Sequence, residues 1–182
     1  MQTRVRPTTD QNVIARLFFR FFLCYFAAGA VATLFAARGV LWDPPEQAGK
    51  TEFLFILLAL LGSILTLAKP YLLLLTAAKA FFDVALLASL LPAVRGLSRG
   101  FLTFNACLCY VIFSLALFCM AAARSCLFSA EGSERDLRLL CSRRFLVYLA
   151  EAVIFAALAL TLYFLWPQLT ALFIKYSDVG AA

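Results

Sequence analysis

The sequence predicts an all-α fold: a polytopic transmembrane helical bundle of about five spans, with a short cytoplasmic amphipathic helix. Three observations lead there. Of 182 residues, 64% are hydrophobic and only 14% charged, with a mean hydropathy of +0.93, a balance typical of membrane proteins. Residues 53–94 are apolar except for Lys69, Lys79, Asp83 and a few small hydroxyl residues. As one helix at about 1.5 Å per residue, that run would be about twice the ~30 Å hydrocarbon thickness of a bilayer, so it must cross twice. Three more apolar runs flank it, and no water-soluble core of this chain length absorbs them all.

Residues 1–12 are polar and lie outside the first span, which runs from 17 to 37. Arg4, Arg6 and Arg16 precede it, and Arg20 reaches back to the interface along its aliphatic stem. The small residues Ala27, Ala28, Gly29, Ala30 and Ala32 offer a face for close helix approach. They also resemble the cleavage region of a secretory leader, but the apolar stretch is long for one and reads as a retained span. Residues 38–52, with Gly39, Pro44, Pro45 and Gly49, form a loop that sets Trp42 at the interface.

The long run turns at Ala68-Lys69-Pro70, since proline suits the first turn of a new helix and lysine the membrane edge. The second and third spans are therefore 53–68 and 70–92. Arg95, Gly96, Ser98, Arg99 and Gly100 make a polar turn, and the fourth span is 101–123. Residues 124–144 are the one long charged stretch. Ser133 caps a short helix there, Asp136 lies three residues on, and Leu137, Leu139 and Leu140 share a side, so this linker lies on the membrane surface. The fifth span is 145–166, ended or kinked by Pro167. Residues 1–182 make up a single integral membrane domain.

The net charge of +6 reflects basic residues gathered at segment ends, as lipid headgroups and the positive-inside rule require, and does not point to nucleic acid. With the N-terminus cytoplasmic, Arg4, Arg6, Arg16, Arg20, Lys69, Arg124, Arg135, Arg138, Arg143 and Arg144 fall inside. Arg38, Lys50, Arg95, Arg99 and Lys175 fall outside, which favours that orientation. A four-span arrangement, in which 77–94 only dips into the membrane, puts the arginine-rich linker outside and is less favourable.

Lys79 and Asp83 lie four residues apart on one helix face near the middle of the third span. Each costs roughly 2.5–3.5 kcal/mol to insert, against roughly 0.3–0.6 gained for each Leu, Phe or Val, so this span depends on its neighbours. Two readings follow: a self-neutralising pair that fixes packing, or an ion, proton or substrate path. Glu151, two turns into the fifth span, either joins Lys79 and Asp83 or reaches the cytoplasmic face near Arg143 and Arg144.

The chain has no histidine, which removes the commonest general base and metal ligand, and no phosphate-cradling P-loop or G-x-S-x-G serine. Of the six cysteines, Cys24, Cys107, Cys109 and Cys119 sit in apolar segments and read as reduced packing residues, as does Asn105. We therefore expect no catalytic, cofactor or metal site. The expected partners are the lipid bilayer and other membrane proteins, a second copy of the chain included. Arg135, Arg138, Leu139, Arg143 and Arg144 are the candidate docking residues of the linker.

The order of an Arg-flanked first span, the run FLFILLALLGSILTLAKPYLLLLTAAKAF, the turn GLSRGFL and the linker AARSCLFSAEGSERDLRLLCSRRFLVYLAEA resembles the stage II sporulation protein M family of bacterial membrane proteins. The resemblance covers most of the chain at the level of topology and residue class. It departs at the last span, which ends TLYFLWPQL without the glutamate-containing I-E-x-x-x-x-P ending of that family. The resemblance implies about five spans in the bacterial cytoplasmic membrane and a scaffold that anchors cell-wall-degrading partners. The alternative is a small permease or channel subunit in which Lys79, Asp83 and Glu151 line a path.

Overall fold

A computed structural model describes residues 8–39, 48–64, 68–94, 98–131 and 143–178. These are helical: α1 (Thr8–Ala37), α2 (Ala48–Leu61) with a 3₁₀ turn over Gly62–Ile64, α3 (Ala68–Val94), α4 (Ser98–Glu131) and α5 (Arg143–Asp178). Among the described residues there is no strand. Four helical stretches, 11–37, 68–89, 104–129 and 145–168, are long and apolar enough to cross a membrane.

The contacts fix the helix directions. Cys24 of α1 meets Leu73 of α3, and Phe35 stacks near Phe81, so these two helices run parallel. Glu52 meets Lys79 and Leu58 meets Tyr71, so α2 runs against α3. Glu52 touches Ser114 and Leu60 touches Ser125, so α4 follows α2. Arg124–Glu151, Phe128–Phe145 and Tyr110–Trp166 set α5 antiparallel to α4. Hence α1, α3 and α5 run one way and α2 and α4 the other. The α4 helix packs against all the others and is the most enclosed, while α5 turns most of its surface outward.

Exposed apolar side chains cover the outside: Phe19, Leu23, Phe26 and Leu34 on α1, and Leu146, Val153, Ile154 and Phe164 on α5. A surface of that kind is unfavourable in water and matched by lipid tails. The chain is a membrane protein built as a helical bundle.

Several boundaries differ from the sequence expectation. The α2 helix starts at Ala48, one turn and more before residue 53, and spans fourteen residues, about 21 Å, short of a hydrocarbon crossing. The short helix is therefore α2, and the less favoured arrangement in which 77–94 only dips into the membrane does not fit the structure, where 68–89 is a helix long and apolar enough to cross. Pro70 lies in the first turn of α3, where its missing N–H costs nothing. The α4 helix begins at Ser98 and continues to Glu131, so residues 124–131 of the expected linker extend a span rather than form a separate helix. The expected amphipathic helix around Ser133 and Asp136 lies outside the described residues, as do Arg135, Arg138 and Leu139.

Pro167 sits inside α5, which continues to Asp178 instead of ending. Proline takes away the N–H that would bond the Tyr163 carbonyl. That carbonyl faces α2, where a Cβ on Gly49 would stand 3.1 Å from it and 2.9 Å from Trp166 Cβ. Gly49 is thus the point at which the α2 and α5 backbones approach each other. At Gly62 the neighbour is a side chain instead, a would-be Cβ falling 2.9 Å from Leu72 Cδ2.

Gly49→Val forces α2 off α5. We expect a destabilisation of about 1–3 kcal/mol, the usual range for overpacking, read as a lowered melting temperature in detergent, while Gly39→Val, at a position with open space but positive φ, acts only through backbone strain.

Candidate functional site

The centre of the bundle is a closed polar network on four helices. Lys79 of α3 is fully buried, as are Glu52, Asp83, Ser114 and Thr76. The Lys79 ammonium donates to Glu52 Oε2 at 2.5 Å, to Asp83 at 3.2 Å and to Ser114 Oγ at 3.1 Å. An ammonium has three N–H groups, and all three find an acceptor here. Ser114 in turn donates to Glu52 Oε2 in a short hydrogen bond. Tyr25 of α1 reaches across and donates to Asp83 Oδ2 at 2.6 Å.

Local structure explains the convergence. Lys79 and Asp83 stand one turn apart on α3, so both head groups emerge on the face that meets α1, α2 and α4. Thr76, one turn earlier, bonds back to the Leu72 carbonyl at 2.6 Å and keeps its own hydroxyl satisfied. The Phe55 ring lies 5.8 Å from the Lys79 nitrogen, adding a face attractive to the cation. In a low-dielectric interior these contacts replace the water that each charge has lost.

One ammonium faces two carboxylates, and some hydrogen-bonding capacity is spare. Among the described residues Glu52 Oε1 and the Tyr110 hydroxyl are buried without a hydrogen-bond partner. Tyr110 lies one turn before Ser114 on α4 and packs its ring against Trp166 at 5.0 Å.

A second polar group caps the other end of α2. The Leu60 carbonyl accepts from Tyr148 at 3.0 Å and from Ser125 at 3.5 Å, and these two hydroxyls lie 3.1 Å apart. Carbonyls of a last helical turn lack intrahelical partners, and α4 and α5 supply them here.

Of the residues singled out from the sequence, Lys79 and Asp83 are together, on one face and buried. Glu151 is not with them: it pairs with Arg124 at 2.6 Å, both side chains about one-third exposed or less. Its place is taken by Glu52, which the sequence reading left in a loop because the charges of 46–52 and Gly49 hide the start of α2. Arg143 and Arg144 open α5, but their side chains lie outside the described residues. Cys107 is buried and Cys109 faces outward on α4. Tyr25 and Ser114 were also missed. Their signal was position: a tyrosine in mid-span, away from the interfacial belt where tyrosine is common, implies a buried hydrogen-bond partner.

Comparison of the chain with family models, with curated proteins and with solved structures found no match.

Lys79→Met leaves two carboxylates buried without their cation, and we expect a loss of about 3–5 kcal/mol, or failure to fold. Adding Glu52→Gln and Asp83→Asn to Lys79→Met removes the imbalance and restores most of that stability. Thermal unfolding in detergent reads both, and equal melting temperatures for the single and triple variants would contradict a charge-coupled network.

Proposed function

We propose that this chain is a non-enzymatic scaffold of the bacterial cytoplasmic membrane, of the kind its resemblance to the sporulation engulfment protein implies. The closure of the buried charges on one another is the observation that carries this reading. Every N–H of Lys79 is used by a partner within the bundle, so the charged centre acts as a tie among α1, α2, α3 and α4. Such a tie makes a rigid body whose work is done by its outward faces and by the cytoplasmic linker that follows α4. The partners it would hold are other membrane proteins, including further copies of itself, in a complex that remodels the cell wall.

In this reading α2 completes a fifth crossing despite its length, the N-terminus is cytoplasmic, and the two chain ends lie on opposite sides. The alternation of helix directions supports that topology, as does the placement of Arg16, Arg20, Lys69 and Arg124 at one end of the bundle.

One observation favours the second reading, a permease or channel subunit. The network holds two carboxylates for one ammonium, with Glu52 Oε1 unpartnered, and such a centre suits transient residence of a proton or small cation. A chain of this size would need further copies to enclose a pore.

Reporter fusions at the two ends give the first test: a cytoplasm-active reporter should work at residue 1 and an export-active one after residue 182, and activity on a single side would remove the five-crossing topology. The triple variant Lys79→Met, Glu52→Gln, Asp83→Asn gives the second. We expect it to assemble with partners in vivo as the native chain does and to show the same low proton and potassium flux in liposomes. Native flux that disappears in a folded triple variant would replace the scaffold by the transport reading.

A further inference from the structure

We propose that the groove between α1 and α4, at the end of the bundle where α1 begins, binds one anionic phospholipid. Arg16 and Arg20 stand one turn apart on α1, both exposed, with the exposed ring of Phe19 beside them. Because Cys24 meets Leu73, Arg20 comes to the level of Lys69 at the start of α3. The α4 helix packs against both α1 and α3 and brings Met120 and Arg124 to this end of the bundle. The result is a basic collar at one edge of the apolar surface.

The collar has an excess of positive charge. Arg124 is matched by Glu151 at 2.6 Å. Among the described residues Arg16, Arg20 and Lys69 have no acidic partner. A guanidinium pair one helical turn apart suits a phosphate oxygen set, and its exposure at the bilayer edge leaves that role to a group from outside the chain.

Two adjoining depressions give the ligand its shape. One, of about 540 Å³, is lined by Asn12, Ala15, Arg16, Phe19 and Arg20. The next, of about 410 Å³, is walled by Ile14, Phe18 and Phe19 of α1 and Met120 of α4, with Gln11 and Arg124 at its rim. Ala15 and Phe19 belong to both. A polar, cationic hollow running into an apolar one at a membrane edge matches an amphiphile: a phosphate headgroup on Asn12, Arg16 and Arg20, and an acyl chain along Phe18 and Met120. Free phosphate would fill only the first hollow. A zwitterionic lipid carries its own cation and gains little from the arginine pair.

The test is native mass spectrometry of the full chain released from nanodiscs of equal phosphatidylglycerol and phosphatidylcholine, together with thermal unfolding on titration of each lipid. We expect one retained phosphatidylglycerol per chain and a rise in melting temperature of about 2–4 °C with that lipid alone. Arg16→Gln with Arg20→Gln should lower phosphatidylglycerol retention about tenfold, Arg16→Lys with Arg20→Lys should keep the preference, and Phe19→Ala should weaken lipid retention through the apolar hollow. Arg38→Gln, at the opposite end of α1, should change nothing. Equal retention of the two lipids, an equal loss in Arg38→Gln, or full displacement of phosphatidylglycerol by inorganic phosphate would each overturn the proposal.

Discussion

Placing a lysine ammonium in the middle of an apolar bundle constrains everything around it. Water is excluded at Lys79, so its three N–H groups need three acceptors within reach of one point. One acceptor is available on its own helix, Asp83, one turn away. The others must come from elsewhere, and they come from Glu52 of α2 and Ser114 of α4. Asp83 then has oxygens left over, and Tyr25 of α1 bonds to one. Four helices are thereby fixed in register by one charge, a specificity that interchangeable contacts among Leu, Phe and Ala do not provide. The energetic side is less generous: a buried ion network is weak evidence for net stability, since its attraction is largely spent against desolvation. Its contribution here is to the choice of one packing among many.

Much of this was readable from the residues alone. Composition and run length give the all-helical membrane class, and the i, i+4 spacing of Lys79 and Asp83 places them on one buried face. What could not be read is which distant residue joins them. Glu151 and Glu52 are both glutamates near the ends of apolar runs, and hydropathy treats them alike. The difference lies in tertiary level: antiparallel packing of α4 and α5 brings Glu151 beside Arg124, whereas antiparallel packing of α2 and α3 brings Glu52 beside Lys79. Pro167 misled for a related reason. In water it would end a helix, but in a bundle the carbonyl it leaves bare is covered by the neighbouring helix at Gly49, and α5 goes on.

The same logic fixes where the short α2 helix sits. A helix whose only task is to bridge a bilayer needs about twenty residues, and the run that follows residue 52 looks long enough to supply them. Two polar anchors hold the helix that forms. Glu52 must stand at the level of Lys79, deep within the bundle, and the Leu60 carbonyl must stand where Tyr148 and Ser125 can reach it. Eight residue steps at about 1.5 Å separate these anchors by about 12 Å, and together they set the height of α2 within the bundle. Beyond Leu60 the chain tightens into the 3₁₀ turn at Gly62, where any side chain would strike Leu72 or Tyr71, and reverses into α3. The helix is held at the Glu52 side chain and at the Leu60 carbonyl, both bonded inside the protein. Ala48, Gly49 and Glu52, the last residues of a stretch whose composition reads as loop, already belong to the core.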